Sequence, residues 1–418
     1  MKIAIIGAGI SGLTAAYVLN REHDITLYEA DDRIGGHTAT KDVNFKGRDY
    51  AIDTGFIVFN DWTYPNFKAL LKQLGVDYQP ADMGFSVTCE LSGLEYSGNN
   101  INTMFAQRRN LFKLSHWQMI RDILKFNKEA LVDVDSGGAY LSMTLGEYLS
   151  EKNYSEAFTE KYLIPMGAAI WSASCSVMKK FPLQFFVRFF RNHGLLSVND
   201  RPQWHVVKGG SRSYIEPLIE SFKDKVKTNS PVTSIIRDSN SVTIKTAYNS
   251  QCYDHVVIAS HSDQALDMLA DVSTAEKNIL SSIPYQRNEV VLHTDTSVLP
   301  KKRSTWSSWN YRIVNNDHSG ELLPVLTYDM NILQSIDSDD VFCVTLNHTE
   351  AIDKNKILGT YYYDHPVFSM AGINAQQQWS EINGVNRTWF CGAYWGNGFH
   401  EDGVASALKV AKEFGVSL

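Results

Sequence analysis

Three stretches of this 418-residue chain predict an α/β fold in two domains. The apolar run Ile3-Ala4-Ile5-Ile6 leads into Gly7-Ala-Gly9-Ile-Ser11-Gly12, a helical stretch from Leu13 to Leu19, and a strand Ile25–Tyr28 ending in Glu29. The middle is helical in pattern from Met104 to about Gly194 and then alternates. The end is a strand, a glycine-rich loop and a helix. Strand, glycine turn, helix, strand and acid is the order of a Rossmann-like βαβ unit with its GxGxxG turn.

Each part of that opening unit has a physical job. Gly7 permits the tight turn, Gly9 lets backbone approach a pyrophosphate, and Gly12 lets the helix lie close to its strand. The free N–H groups around Ser11 and the positive end of the helix then face phosphate. Glu29, 22 residues after Gly7, stands where an acid accepts hydrogen bonds from an adenosine ribose. Arg33-Ile-Gly35-Gly36-His37-Thr38 follows at once. A dehydrogenase binding nicotinamide has no use for a second glycine pair and an arginine there. FAD, lying extended across the domain, gains a second clamp on its pyrophosphate from the Gly35 and Gly36 amides and from Arg33.

The following elements are read in order. A hairpin is expected over Val43–Phe59, carrying Asp53-Thr54-Gly55-Phe56, then a helix over Thr63–Leu74 stopped by Gly75. Alternation in Phe85–Cys89 starts strands outside the nucleotide core, and Phe, Trp, Leu and Met recur at helical spacing through residues 104–194. Val206–Gly210 turns into a helix, while Val232–Ile236 and His255–Ala259 read as buried strands. Segments 289–293, 309–314, 325–329 and 342–346 form a second sheet, Thr388–Cys391 is a strand, and a helix is expected from Gly403 to Phe414. Residues 1–80, 203–262 and 385–418 thus make a discontinuous FAD-binding domain, and residues 81–202 and 263–384 an inserted α+β substrate domain.

Composition narrows the function. Apolar residues at 44% and charged ones at 20% are globular values. A net charge of -7 argues against a nucleic-acid partner. The five cysteines are scattered with no C-x-x-C, which signals neither zinc nor disulfides and fits a reducing, cytoplasmic setting. No run of 18 apolar residues offers a membrane span, and the glycine spacing explains Met1–Leu19 better than a secretory leader does.

The closing run Phe390-Cys-Gly392-Ala-Tyr394-Trp-Gly-Asn-Gly-Phe-His400-Glu401-Asp402-Gly403-Val404 is the second strong signal. A helix opening there aims free N–H groups and its dipole at the charge of a reduced flavin.

On these residues the chain resembles the FAD-dependent amine oxidase and phytoene desaturase superfamily. More closely, most of the chain looks like the flavoprotein domain at the N-terminus of plant cyclopropane fatty-acid synthases and its free-standing bacterial relatives. Asp53–Asn60, Thr63–Asn66, Leu163–Ser172, Arg191–His193, Arg201–Trp204, Cys391–Tyr394 and Gly398–Asp402 carry that likeness. The resemblance implies an amine-oxidase-like two-domain flavoprotein holding FAD without a covalent bond and acting on modified fatty acyl chains. Bacterial relatives include a dehydrogenase of furan fatty-acid synthesis. The implied cofactor contacts add His37, Asp53, Thr54, Gly55, Phe56, Val232, Gly392, Glu401, Asp402, Gly403 and Val404. Two positions depart from the wider superfamily: His37 replaces a second arginine and Ala393 a common acid, which weakens amine oxidation. The synthases' methyltransferase domain does not follow Ala407, so a separate methyltransferase is an expected partner.

Hydride abstraction from a C–H bond asks the protein mainly to position and desolvate its substrate. Trp171, Phe185, Phe186, Phe189, Phe190, Trp306 and Trp309 are candidate pocket aromatics, and His400 and Tyr394, placed before the flavin-facing helix, are candidate proton acceptors. Arg108, Arg109, Lys113, Arg121 and Lys125 among Phe105, Phe112, Leu114, Trp117 and Phe126 suit peripheral contact with an anionic membrane or a solvated helix face. An amine or carotenoid-type oxidase, and a flavin-binding accessory protein to a lipid methyltransferase, remain open alternatives.

Overall fold

The computed structural model describes residues 1–171, 173–197, 200–315 and 322–418. Ser172, the last residue of the Leu163–Ser172 run, lies outside the described residues. Five parallel strands form the nucleotide sheet, in the order Val226–Lys227, Asp24–Tyr28, Lys2–Ile6, His255–Ile258, Thr388–Phe390. Ile3, Ala4 and Ile5 are fully buried because both faces of the sheet are covered, which is why the run is unbroken in the sequence. One face packs on the opening helix Ile10–Leu19 and the closing helix His400–Glu413. The other meets a three-stranded antiparallel meander, Val232–Arg237, Val242–Thr246 and Ser250–Tyr253.

The second body is a seven-stranded sheet in the order Ile357–Pro366, Tyr285–His293, Cys343–Leu346, Leu322–Asp329, Trp309–Asn315, Phe85–Cys89, Leu94–Ser97. Only the Trp309–Asn315 pairing with Phe85–Cys89 is parallel among its described pairs. A helical layer covers it, led by Leu114–Ser136, Ile164–Trp171 and Leu183–Asn192, with Phe126, Phe158, Phe186 and Phe190 in its core.

Several elements differ from the sequence reading, among them the strands expected at 289–293 and 325–329, which start earlier at Tyr285 and Leu322. The hairpin is Thr40–Phe45 with Arg48–Asp53, because Lys46 and Gly47 both take positive φ and close a two-residue turn. Val58–Asn60 instead pairs with Trp204–Val207, beside Tyr78–Ala81. The next helix starts at Pro65, whose missing N–H costs nothing in a first turn. The Val232 strand is not buried on both sides: Ile235 faces the core while Thr233 and Ile236 face solvent, as in a sheet covered on one face. The closing helix starts at His400, three residues before Gly403, because the Asp402 carboxylate reaches back to accept the Phe399 N–H at 2.9 Å.

Candidate active site

The glycines make a double loop. Gly7 has φ +98 and donates its N–H to Tyr28 O at 2.8 Å. A Cβ on Gly12 would collide with the Gly7 carbonyl oxygen, whereas one on Gly9 would meet no atom within 4 Å. Gly9 therefore borders open space, and Gly12 fixes helix against strand. The second loop is zipped to the first: Gly35 N–H donates to Ala8 O at 2.7 Å, and Gly36 at φ +56 would press a Cβ to 3.0 Å from Gly9 Cα. Arg33 braces this loop, donating to Gly36 O (2.7 Å) and Thr38 O (3.3 Å). The Glu29 carboxylate accepts the N–H groups of Ala8 (2.7 Å) and Asp31 (3.0 Å). Its backbone joins Lys227 and Ser230, two residues before Val232.

The closing helix docks onto this loop. A Cβ on Gly403 would come within 2.8 Å of Ile10 and 2.9 Å of Ser11 Oγ, so the first turns of the two helices lie against each other. Two positive helix ends thus converge beside the open space at Gly9. Val404 is fully buried behind them, and Gly392 N–H is held by Ser406 Oγ at 2.9 Å.

Around the loops, Asp53 is a buried anchor. It accepts from Thr40 Oγ1 (2.5 Å), Ser211 N (2.9 Å), Ser211 Oγ (2.8 Å) and Gln334 Nε2 (3.0 Å), and burial pushes its carboxyl up to about 6. Thr54 bonds Ala39 O and the Tyr363 hydroxyl. Gly55 leaves no room for a Cβ against the His37 carbonyl, which also accepts Phe56 N–H at 2.7 Å. Phe56 stacks flat on His400, with centroids 3.5 Å apart.

His400 is not in a loop but is the first residue of the closing helix, with its ring turned into the core. Its Nε2 lies 3.0 Å from both the Thr38 and Tyr214 hydroxyls, and burial holds its pKa well below 6.5. Tyr394 is buried with its hydroxyl unpartnered and its pKa held well above 10 by desolvation, so it stays protonated. Glu401 is spent on the Pro65–Leu74 helix, accepting Asn66 N, Asn66 Nδ2 and Phe67 N at 3.1, 2.6 and 2.9 Å. Asp402 caps its own helix, and burial pushes its carboxyl up to about 6.

Sequence reasoning missed the imidazoles facing His37. His37 has ring neighbours at 5.9 Å (His261) and 5.4 Å (both Tyr363 and His365), and His261 stacks on Tyr285 at 4.3 Å. Burial, reinforced by mutual repulsion, lowers His37 and His261 to about 4 and His365 to about 3. A relay of amides fixes the tautomer of His365. Glu289 N–H donates to Asn347 Oδ1, Asn347 Nδ2 to Asn288 Oδ1, and Asn288 Nδ2 to His365 Nδ1, leaving the proton on Nε2. The signal in the sequence was the alternation Tyr361, Tyr363, His365, which puts the three on one face of a strand.

A cavity of about 380 Å³ lies between the Pro65–Leu74 helix, the Leu183–Asn192 helix and the closing helix, walled by Trp62, Tyr64, Asn192, His193 and Phe399 beside Glu401 and Asp402. Phe399 stacks on Phe189 at 5.2 Å, and Trp171, Phe181, Phe185 and Phe368 carry the ring contacts on from there into the core, outside the cavity lining. Phe186 and Phe190 lie deeper in the helical core, Trp309 packs on Tyr328, and Trp306 donates to Pro300 O outside that wall. His193 is also new to the site. Its Nδ1 lies 2.9 Å from Phe189 O, and a carbonyl only accepts, so the proton sits on Nδ1 and Nε2 keeps its lone pair. Burial lowers its pKa to about 4.

These surroundings meet a family already defined. The sequence model of flavin-containing amine oxidoreductases matches residues 10–413. The chain belongs to that family. Similar relatives include a probable flavin-containing monoamine oxidase A of Dictyostelium discoideum, 30% identical over 58% of this chain, and the flavin-containing amine oxidase A of Bos taurus, 22% identical over 74%. Those matches span 53% and 58% of the relatives' own lengths. Among solved structures, the cyclohexylamine oxidase of Brevibacterium oxydans IH-35A superposes at TM-score 0.69 (18% identity, 99% of each chain), and a fatty acid isomerase of P. acnes producing CLA at 0.70 (18%, 99% of this chain and 98% of that one). At that identity they share the amine-oxidase-like, two-domain fold.

The cofactor of the family is FAD, and the residues here fit it: the open cradle at Gly9, the second loop of Gly35 and Gly36, and two converging helix N-termini suit a dinucleotide diphosphate. His37 Nε2 is among the buried polar atoms that lack a protein hydrogen-bond partner in the described residues, and it belongs to the second glycine loop. FAD is held without a covalent bond; burial pushes the Cys391 thiol up to about 12, far from a reactive thiolate.

Proposed function

We propose that this FAD-dependent oxidoreductase removes hydrogen from a modified fatty acyl chain, methyl-branched, cyclopropane or unsaturated, carried in phospholipid. The observation that carries the reading is the cavity wall at the N-terminus of the closing helix. There Phe399 opens a run of stacked rings through Phe189 into the helical layer, and His193 and His400 beside it are uncharged. Aromatic rings beside a neutral His193 suit an apolar acyl chain.

FAD, when bound, supplies a two-electron acceptor for a hydride leaving carbon. Within this reading His193 accepts the proton from the neighbouring carbon through Nε2, so that a C–H bond pair becomes a double bond. His400 is a positioning residue, since both hydroxyls crowd its Nε2 and Phe56 covers its ring. An amine substrate is the second reading, favoured by Glu401 and Asp402 on the cavity wall. Their oxygens already accept backbone N–H groups, which leaves less charge for a cation.

Anaerobic reduction of the bound flavin separates the two readings. Vesicles of methyl-branched, cyclopropane or unsaturated phospholipid should bleach the flavin absorbance while simple amines leave it unchanged. His193→Ala should slow that bleaching by about 10²–10⁴-fold with FAD retained. Bleaching by amines alone would overturn the lipid reading, and a His193→Ala protein reduced at the normal rate would remove that residue's role.

A further inference from the structure

The loop between the second sheet and the helical layer presents apolar side chains to solvent. Ile101 is 81% exposed, Phe112 91% and Leu114 74%, and Trp117 stands beside them half-exposed. Isolated exposed apolar residues are ordinary, but these four share one segment, folded on itself where Trp117 packs on Phe105 at 5.0 Å and donates to Leu111 O. Phe105 and Phe126, counted with them in the sequence, are buried in the core instead.

The cations of this region divide in the same way. Farther along, Arg121 pairs with Asp122, Lys125 with Glu129 and Lys152 with Asp133. In the patch, Arg108, Arg109 and Lys113 have no carboxylate partner among the described residues. The sequence carries no acid from Tyr96 to Arg121, in a chain whose net charge is -7. Arg108 and Arg109 are held by Phe105 O, Asn102 Oδ1 and Gly93 O, which fixes them beside the apolar tip. Behind it a cavity of about 40 Å³ is walled by Lys113, Lys161 and His116, enough for a few waters or the oxygens of one phosphate group.

We propose that residues 101–117 dock this protein on an anionic lipid bilayer, with Phe112 and Leu114 entering the acyl boundary and Arg108, Arg109 and Lys113 meeting lipid phosphates. Unpaired cations around exposed aromatic and aliphatic side chains match an interface that is apolar below and negatively charged above. No helix of the described residues is long and apolar enough to cross a membrane, so the contact is peripheral.

The test uses the FAD-loaded protein and sedimentation with phosphatidylglycerol/phosphatidylcholine vesicles, against phosphatidylcholine alone. Binding needs no turnover, so its outcome is independent of which substrate reduces the flavin. The anionic vesicles should retain the protein at low salt and release it at high salt. Each cation at such a surface is worth about five-fold in affinity, so Arg108→Glu with Arg109→Glu should weaken binding by at least ~25-fold. Phe112→Ser with Leu114→Ser should weaken it by about ten-fold or more. All four side chains are on the surface, so melting temperature and flavin content should not change. Equal sedimentation with both vesicle types, no sedimentation with either, or full retention of either double variant overturns the proposal.

Discussion

Gly9 and Gly12 sit three residues apart in one motif, and the structure gives them opposite failures. At Gly9 the backbone has φ -75 and ψ -178, open to any residue, and a Cβ would meet nothing within 4 Å. Alanine there gains about 0.4–1 kcal/mol from a stiffer unfolded chain and loses a similar amount as a poorer helix cap. The cofactor-free fold should therefore change by less than about 1 kcal/mol. The added methyl occupies the cradle, and overpacking of about 1–3 kcal/mol corresponds to a roughly 5- to 150-fold weaker FAD Kd. At Gly12 the same methyl collides with the Gly7 carbonyl, so the opening helix must shift off its strand, costing the fold itself about 1–3 kcal/mol or more. Urea unfolding of the cofactor-free proteins, with flavin fluorescence titration of each, reads both quantities. The reasoning fails if Gly9→Ala unfolds earlier than Gly12→Ala, or if Gly9→Ala binds FAD as tightly as the parent.

Three further outcomes follow from the same geometry. Glu29→Ala strips Ala8 and Asp31 of their acceptor and should cost FAD binding about 1.5–3 kcal/mol, measured by flavin titration. Glu401→Ala leaves the Asn66 and Phe67 N–H groups at a buried helix end unpaired, and its urea midpoint should drop by an amount worth about 1–3 kcal/mol. For pH, His37, His193, His261 and His293 near 4 and His365 near 3 are depressed bases, whose stabilisation is present above 6.5 and lost as pH falls through 4. Asp53 and Asp402, raised to about 6, act oppositely: their stabilisation is present below about 4 and lost as pH rises through 6. The depressed histidines outnumber the raised acids Asp53 and Asp402, so the urea midpoint should fall as pH drops from 6.5 to 4.

The opening unit was legible because its constraints are local: strand, turn and helix each announce themselves within six residues, and the acid follows its own strand. The closing helix was placed three residues late because Phe399 is no cap residue; the cap comes from Asp402 inside the helix, an acid that reads equally well as a ligand. Glu401 misled for a similar reason, since its partners lie 335 and 334 residues away. The imidazole group was invisible for reasons of topology. His37, His261 and His365 come from the first loop, the end of a nucleotide strand and a strand of the other sheet, and the Asn288 that orients His365 is 77 residues from it. His193 was in view as part of a motif, but its role depends on a proton fixed by a carbonyl one helical turn back.

The convergence of two helix N-termini also sets an electrostatic problem that the acids around it address. Each end carries about half a positive charge, and bringing them together at Gly403 and Ile10 is unfavourable unless negative charge lies between or beside them. Glu29 supplies it at the first helix through Ala8 N–H, and Asp402 at the second through Phe399 N–H. Asp402, held near 6, is ionised at neutral pH but surrenders that charge on mild acidification, while Glu29 sits half-exposed at the loop. An anionic diphosphate arriving at Gly9 completes the same neutralisation from the open side. A diphosphate held there would act on the same field as the acids that position the helices. Loss of either acid removes negative charge from beside these helix ends and should weaken diphosphate binding at Gly9, which would make Glu29, Asp402 and the glycine loops parts of one candidate site.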